Sequence, residues 1–296
     1  MKRIGILLRT IRIEQWVKNV FVLCPVIFGG KLLSATHLCN SLIAVLCFCF
    51  AASAIYCLND IRDVETDRLH EQKRKRPLAS GEISDRQVKV VGLLMCALSL
   101  LLPFFLPDGW KLALVILAYL VLNVFYSFGL KTIPVLDVVI VAVGFVLRLL
   151  AGGVSSGVEL SRWIVVMTFV LTLLIALGKR RSDVETFSRT GVKLRKNVSY
   201  YNVRFLDVSL WVLSAVTVLC YVLYTIDSEV VSRLNCNYLY VSAVFVVIGL
   251  ARYLHLAVSD GRGGSPTKLV LTDKALLASV LGFFMFFLFV IYSGAK

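Results

Sequence analysis

Charged residues are scarce in this sequence of 296 residues, and their scarcity excludes most classes of protein. Only 17% of the residues are charged, whereas 58% are hydrophobic. A soluble domain has about 25% charged and about 45–50% apolar residues. So few charges cannot cover a water-facing surface, and so many apolar residues exclude intrinsic disorder. The composition therefore predicts a polytopic membrane protein.

Histidine is also rare, and cysteine is not arranged as a disulfide framework. The three histidines, His37, His70 and His255, are scattered and lack metal-ligand spacing. Most of the eight cysteines lie inside apolar runs, where a thiol behaves as a small hydrophobic group. The net charge of +14 would favour a nucleic-acid partner in a soluble protein. Apolar stretches of membrane-spanning length favour a lipid bilayer instead, and we expect no nucleic-acid partner.

Nine charge-poor stretches approach the roughly 20 residues that a helix needs to cross a bilayer. They lie at 19–35, 38–58, 90–107, 111–130, 133–151, 162–178, 208–226, 236–253 and 275–294. The first is the weakest, because Pro25, Gly29 and Gly30 interrupt it. We predict an all-α bundle of nine transmembrane helices that forms a single domain over residues 1–296.

The distribution of basic residues predicts the orientation of the bundle. With the N-terminus in the cytoplasm, 26 of the 32 Lys and Arg residues fall on the cytoplasmic side and five on the other, and Arg148 lies within a span. Cytoplasmic loops of membrane proteins carry such an excess of positive charge. The two long cytoplasmic connections, 59–89 and 179–207, are the predicted site loops.

The first site loop carries oxygen ligands at helical spacing. If the preceding span continues as a helix, Asn59, Asp63 and Asp67 lie on one face at intervals of about 6 Å. Such ligands suit Mg²⁺, which is held by one or two carboxylates together with substrate phosphates. The basic run 73–76 could bind the same phosphates. The alternative is a solvated loop in which acidic and basic side chains neutralise one another.

The second site loop is basic, and other polar residues lie at the predicted membrane boundaries. Lys179 and Arg180 follow the sixth span; the loop either anchors to anionic lipid head groups or holds a phosphorylated substrate. Tyr126 and Lys131 lie at the cytoplasmic end of the fourth span. The segment around Lys18 is typical of an interfacial anchor, which is as good an interpretation as a substrate role.

Taken together, these motifs resemble the UbiA superfamily of intramembrane prenyltransferases, and most closely its decaprenyl-phosphate phosphoribosyltransferase branch. The resemblance covers nearly the whole chain in order. Its motifs are Gln15-Trp16-Val17-Lys18-Asn19-Val20, the N-D-x-x-D-x-x-x-D run from Asn59 to Asp67, Arg76-Pro77-Leu78-Ala79-Ser80-Gly81, Tyr126-Ser127-Phe128-Gly129-Leu130-Lys131, Arg148 with Ala151-Gly152-Gly153, Gly178-Lys179-Arg180, Arg189-Thr190-Gly191, Arg252-Tyr253 and Asp273.

One departure from the wider superfamily favours this branch. Aromatic prenyltransferases carry a second Asp-rich motif after the sixth span, and here that position reads Gly178-Lys179-Arg180-Arg181. The resemblance implies a Mg²⁺-dependent transfer of 5-phosphoribosyl from phosphoribosyl diphosphate to a polyprenyl phosphate, at the cytoplasmic side of a bacterial inner membrane. It leaves the oligomeric state open. The runner-up is an aromatic prenyltransferase, and a transporter is disfavoured because no internal repeat is visible.

The resemblance and the spacing together give the predicted site residues. The predicted metal ligands are Asn59, Asp63 and Asp67. The predicted catalytic residues are Asp63, Asp67, Lys131 and Lys179. The predicted substrate-binding residues are Lys18, Arg62, Lys73, Arg76, Tyr126, Lys131, Arg148, Lys179 and Arg180.

Overall fold

The computed structural model describes residues 2–71, 73–191 and 197–293, and every regular element in those ranges is helical. The α-helices, numbered α1 to α12 in chain order, are Lys2–Ile11, Cys24–Phe28, Ala35–Leu69, Asp85–Leu101, Gly109–Phe128, Leu136–Ser156, Arg162–Thr190, Val203–Ile226, Ser228–Leu234, Ala243–Leu254, Pro266–Thr272 and Lys274–Ser293. Segments of 3-10 helix lie at Ile13–Leu23, Lys73–Lys75, Leu102–Phe105, Leu130–Thr132, Val198–Tyr200 and Leu239–Ser242, and a π-helical turn lies at His255–Ser259. The all-α prediction is confirmed.

Eight helical stretches within the described ranges are long and apolar enough to cross a bilayer. They are Ala35–Leu69, Asp85–Phe105, Gly109–Phe128, Leu136–Ser156, Arg162–Thr190, Val203–Ile226, Leu239–Ser259 and Lys274–Ile291. They correspond to eight of the nine predicted spans, so the chain is a multi-pass membrane protein.

The first predicted span, 19–35, has a different structure. It consists of the end of the 3-10 helix Ile13–Leu23 and the five-residue helix α2. Pro25 has no N–H to continue the hydrogen-bonding pattern. Gly30 has a φ of +70°, which ends the segment in a conformation that favours glycine. The count of nine spans therefore exceeds the eight long apolar helices by this segment.

The two predicted site loops begin as helices. Helix α3 continues past the predicted span 38–58 to Leu69, and α7 continues past the predicted span 162–178 to Thr190. Only the later parts of 59–89 and 179–207 are irregular. The turn after α3 ends at Ser84, which forms a capping box with Gln87 at the start of α4; such reciprocal hydrogen bonds satisfy two of the free N–H groups of a helix N-terminus.

The chain divides into two compact units. Unit 1 comprises Met1–Ile27, Lys31–Phe128 and Leu147–Glu159, and unit 2 comprises Phe28–Gly30, Gly129–Val146 and Leu160–Lys296. The expectation of a single domain over 1–296 stays a prediction.

The core of unit 1 is built around α3. Its small buried residues, such as Ala44 and Ala51, pack in one cluster with Phe48 and with Ile116 of α5. Small side chains let helix backbones approach closely, which is the usual way that membrane helices pack. All eight cysteines are free thiols, in agreement with their interpretation as small hydrophobic residues.

The core of unit 2 joins α7, α8 and α10. Leu174 and Leu177 of α7 pack in one cluster with Leu206 of α8 and Leu254 of α10. Gly178 has no side chain, and a Cβ there would collide with the hydroxyl of Tyr253. This close approach fixes α7 against α10 one residue before Lys179.

Candidate active site

The end of α3 carries the predicted metal ligands on one face. Because α3 is unbroken to Leu69, the side chains of Asn59, Asp63 and Asp67 project from successive turns of the same face. Asn59 and Asp63 are half-buried and Asp67 is 2% exposed. The helical arrangement on which the metal prediction depends is therefore present.

Arginines from outside α3 neutralise two of the carboxylates on this helix. Nη1 of Arg76 lies 2.5 Å from Oδ2 of Asp67 and 3.4 Å from Oδ1 of Asp60. Asp60 also forms an ion pair with Arg12, whose guanidinium lies over the ring of Tyr56, 4.7 Å from its centroid. The buried carboxylates are thus compensated, which a carboxylate at 4% or 2% exposure requires.

The donor set fits a Mg²⁺ ion that is also held by substrate phosphates. Within the described ranges no group of three or more His, Cys, Asp or Glu residues is placed to hold a metal by itself. Two carboxylates and an amide on one helix face match the incomplete protein shell that Mg²⁺ takes when phosphates and waters complete it. Asp67 would share its carboxylate between Arg76 and the ion.

Other predicted substrate-binding residues of unit 1 lie at the ends of its helices. Arg62 is exposed, donates to the carbonyl oxygen of Phe128 at 3.2 Å and lies 4.2 Å from the centroid of its ring. Lys73 is half-buried in the short 3-10 segment after α3, and Tyr126 is half-buried near the end of α5. The side chain of Arg62 remains exposed to solvent despite these two contacts.

The segment around Lys18 is a 3-10 helix that packs on α3. The indole Nε1 of Trp16 donates to Oγ of Ser53 at 3.1 Å, and Ser53 donates to the carbonyl oxygen of Ile11 at 2.8 Å. Lys18 is exposed on the same segment. Trp16 is therefore held by a specific hydrogen bond, while the substrate role of Lys18 stays a prediction.

Arg148 is buried in unit 1 among polar and aromatic groups. Its Nε donates to Oδ1 of Asn19 at 2.8 Å and its Nη2 donates to the hydroxyl of Tyr119 at 3.2 Å. Its guanidinium lies 4.8 Å from the centroid of the Tyr119 ring and 5.5 Å from that of Phe48. A positive charge held this way in a membrane helix is a candidate for binding an anionic substrate group.

In unit 2 the predicted phosphate ligand Arg180 is engaged in a buried ion pair. Its Nε lies 2.7 Å from Oδ2 of Asp137, and its Nη1 lies 3.1 Å from Oδ2 of Asp183. Asp137 is fully buried and also accepts a hydrogen bond of 2.6 Å from the hydroxyl of Tyr201. That hydroxyl accepts from the N–H of Val135, a residue with φ +67°. Burial, together with the hydrogen bond to Asp137, raises the pKa of Tyr201 above its usual range.

Arg181 joins three elements of unit 2. Its guanidinium contacts Asp207 at 2.6 Å and Glu185 at 3.0 Å. It also donates to the carbonyl oxygens of Ala257 and Val258 at 2.9 and 2.7 Å. These groups satisfy most of its five N–H donors, so Arg181 is a structural residue that links α7, α8 and the π-helical turn.

Two further predicted cations lie in unit 2. Lys179 is exposed on α7, in contrast to its neighbour Arg180. Lys131 is half-buried in the 3-10 segment Leu130–Thr132, and its carbonyl oxygen accepts a hydrogen bond of 3.4 Å from Asn197. The basic residues Lys193, Arg195 and Lys196 of the second site loop lie outside the described residues.

Sequence reasoning did not identify Arg12, Asp60, Asp137 and Tyr201 as residues that shape the site. Asp60 and Asp67 are seven residues apart, so they share a helix face, and this spacing could have indicated a shared cation. Asp137 is an acidic residue within the predicted span 133–151, but no sequence pattern indicates that it contacts Arg180 and Tyr201.

Comparisons with known proteins agree with the motifs. Residues 22–271 match the UbiA prenyltransferase family. The chain is 36% identical over 289 residues to a decaprenyl-phosphate phosphoribosyltransferase from Corynebacterium glutamicum, covering 97% of this chain and 86% of that protein. It is 34% identical over 281 residues to the enzyme of the same name from Mycolicibacterium smegmatis, covering 91% and 87%. A solved UbiA homologue from Archaeoglobus fulgidus, bound to DMAPP and Mg²⁺, has a TM-score of 0.73 at 25% identity, covering 97% of this chain and 99% of that one.

Proposed function

The chain belongs to the UbiA prenyltransferase family, and on that basis we propose that it transfers 5-phosphoribosyl from phosphoribosyl diphosphate to a polyprenyl phosphate. The bond between the anomeric carbon and the diphosphate breaks, and an oxygen of the lipid phosphate forms the new bond. The products are polyprenyl-phosphoryl-5-phosphoribose and diphosphate. The observation that carries this proposal is the 36% identity to a decaprenyl-phosphate phosphoribosyltransferase over 97% of the chain.

The end of α3 is proposed to bind the leaving diphosphate. Asn59, Asp63 and Asp67 would hold Mg²⁺, which neutralises the charge that develops on the diphosphate as it departs. Arg62 and Arg76 would donate hydrogen bonds directly to phosphate oxygens. A single well-placed donor of this kind is worth about 3 kcal/mol of transition-state stabilisation.

Further cations are proposed to bind substrate phosphates. In unit 1, Lys73 in the basic run after α3 would offer an ammonium group, and in unit 2 Lys131 would offer another. Tyr126, Lys18 and the buried Arg148 are proposed to contact the phosphorylated substrates. Asn19 and Tyr119 support this role of Arg148 because they fix the orientation of its guanidinium.

The basic end of α7 is proposed to bind the lipid phosphate. Lys179 is exposed, so we assign it the direct contact. The charge of Arg180 is neutralised by Asp137 and Asp183, so Arg180 is proposed to support the end of α7. A phosphate monoester is already ionised near neutral pH, so it needs no general base to act as the nucleophile. Carboxylates at this position would repel a lipid phosphate, and the replacement of carboxylates by Lys and Arg supports the assignment.

The enzyme is proposed to act as a single catalytic domain in a bacterial inner membrane. The excess of basic residues in the connections 59–89 and 179–207 supports a cytoplasmic location for both. The N-terminus would then also be cytoplasmic.

The decisive experiment combines the purified protein with phosphoribosyl diphosphate, polyprenyl phosphate and Mg²⁺ and measures the release of diphosphate. We expect release that requires both substrates and stops on addition of EDTA. Release that continues in EDTA would contradict the metal assignment at α3. No release with phosphoribosyl diphosphate would contradict the proposed function.

A second candidate is an aromatic prenyltransferase. It is favoured by the likeness to the Archaeoglobus fulgidus homologue bound to DMAPP and Mg²⁺. This candidate predicts turnover of a prenyl diphosphate with an aromatic acid and no use of phosphoribosyl diphosphate. The same assay of diphosphate release with the two pairs of substrates distinguishes the candidates.

A further inference from the structure

We propose that Asp60 is a positioning residue, which holds the guanidinium of Arg76 beside the predicted diphosphate site at the end of α3 and anchors Arg12 to the same helix. The inference rests on the proposed function only in assigning a diphosphate to this end of α3. Asp60 itself is not proposed to touch the substrate or the metal.

Asp60 is buried and is shared by two arginines. Its side chain is 4% exposed, and its Oδ1 accepts from both Arg12 and Arg76. A carboxylate removed from water in this way is stable only when it is paired. Asp60 therefore requires these guanidinium groups as partners.

Arg76 bridges two carboxylates of α3, one of which is a predicted metal ligand. Asp60 and Asp67 are seven residues apart on α3, so they lie on one face of the helix. Nη1 of Arg76 contacts both, at 3.4 Å and 2.5 Å. Asp67 is a predicted metal ligand, whereas Asp60 lies outside the ridge formed by Asn59, Asp63 and Asp67.

Asp60 would keep Arg76 in place even if Asp67 also held a metal ion, because Arg76 contacts both carboxylates. Its side chain is 29% exposed, and a guanidinium has five N–H donors. Arg76 can therefore donate to a diphosphate without first losing the conformation that Asp60 imposes.

Arg12, which follows α1 directly, is the second arginine that Asp60 holds. Its backbone has φ 55° and ψ 56°, a left-handed conformation that is unfavourable for a residue with a side chain. The contacts with Asp60 and with the ring of Tyr56 hold Arg12 in that conformation. Asp60 thus fixes two arginines that come from distant parts of the sequence.

The test measures the binding of inorganic diphosphate in the presence of Mg²⁺ by isothermal titration calorimetry, using the full-length protein in detergent. We expect Asp60→Asn and Arg76→Gln each to weaken binding by roughly tenfold, the size of one lost charge-assisted hydrogen bond. If Asp60 acts through Arg76, the double variant binds no more weakly than Arg76→Gln alone. Glu65→Gln is the matched control, because Glu65 is an exposed carboxylate on the same helix.

Additive losses in the double variant, or wild-type affinity in Asp60→Asn, would overturn the inference. Should Asp60→Asn fail to fold, Asp60→Glu keeps the charge and moves it by one methylene group. We then expect affinity to fall several-fold with an unchanged melting temperature, and the Asp60→Glu/Arg76→Gln double variant to bind no more weakly than Arg76→Gln alone. Equal affinity of Asp60→Glu and the wild type would overturn the inference in that case.

The outcome can be separated from that of the proposed function. Diphosphate is a product of both candidate reactions, and the binding experiment contains no phosphoribosyl donor. Loss of binding in Asp60→Asn together with no phosphoribosyl transfer by the wild type would refute the proposed function and support the role of Asp60. Transfer by the wild type with unaltered binding in Asp60→Asn would do the reverse.

Discussion

The ends of α3 and α7 carry similar residues but use them differently. Each helix extends beyond its membrane-spanning stretch and ends in a group of ion pairs. In unit 1 two arginines meet the acidic face of α3, and the side chains of Arg76 and Arg12 retain 29% and 18% exposure. In unit 2 the side chains of Arg180 and Arg181 are only 4% and 9% exposed.

The two helix ends thus differ in the exposure of their arginines. Because the side chain of Arg76 is partly exposed, we propose that it donates to a phosphate while Asp60 still holds it. Arg180 and Asp137 have no such exposure, and a buried ion cannot lose its partner without a large desolvation penalty. At the end of α7 the side chain of Lys179 is exposed, and we propose that Lys179, rather than Arg180, contacts a ligand.

The strongest way to break the comparison is to remove the buried carboxylate of unit 2. Asp137→Asn would leave Arg180 without its partner of 2.7 Å and should destabilise the protein by about 3–5 kcal/mol. Thermal unfolding in detergent measures the effect. Asp85→Asn is the control, because its ion pair with Lys89 is exposed and should contribute about 1 kcal/mol or less. Equal losses of stability in the two variants would show that burial does not determine how much such an ion pair contributes.

The second prediction tests the functional half of the comparison in unit 1. Asp63→Asn should lower the rate of diphosphate release by at least about tenfold without altering thermal unfolding, because it removes one ligand of the ion that neutralises the leaving group. Steady-state kinetics with both substrates at saturation measures the rate. Glu65→Gln is the control. Glu65 lies on α3 two residues after Asp63 and its side chain is exposed, so this variant should retain the wild-type rate. A wild-type rate in Asp63→Asn would remove Asp63 from the site.

The third prediction sharpens the contrast between neighbours on α7. Lys179→Ala should raise the polyprenyl phosphate concentration that gives half the maximal rate by several-fold, since an exposed charge–phosphate contact is worth roughly 1 kcal/mol. The dependence on phosphoribosyl diphosphate should stay unchanged. Arg189→Ala is the control, because Arg189 is exposed on the same helix and paired with Glu185. A change confined to phosphoribosyl diphosphate would mean that the two helix ends have the opposite substrates.

The smallest effect is expected at the partly buried pair of Arg252 and Asp273 in unit 2. Hydrogen bonds from Arg252 and from the N–H of Leu276 lower the pKa of Asp273 to about 2 from its usual 3.8. Because the folded-state pKa is depressed, the stabilisation is complete above about pH 4 and is lost as the pH falls toward 2. We expect a small decrease in melting temperature over that interval in the wild type and a smaller one in Asp273→Asn. Identical pH profiles would exclude a contribution from this pair.

Much of the fold was predictable because hydropathy and helical spacing are local properties. Eight of the predicted spans correspond to long apolar helices, and the alignment of Asn59, Asp63 and Asp67 followed from the continuation of α3 alone. The first predicted span was the exception, since Pro25 and Gly30 interrupt a stretch that composition alone would make a span. The pairing of charges was not predictable. Arg12 meets Asp60 across 48 positions and Arg180 meets Asp137 across 43, distances over which sequence spacing carries no geometric information.

The sequence by itself thus determined that this protein is a multi-pass membrane protein with an acidic helix face, because burial in lipid demands long apolar helices and a helix repeats every 3.6 residues. Only the tertiary structure decided which of its basic residues are buried in ion pairs and which are exposed. Packing buries Arg180 and Arg181 among carboxylates and carbonyl oxygens while Lys179 stays exposed. This difference depends on contacts between helices, which place adjacent residues of the same charge in different environments.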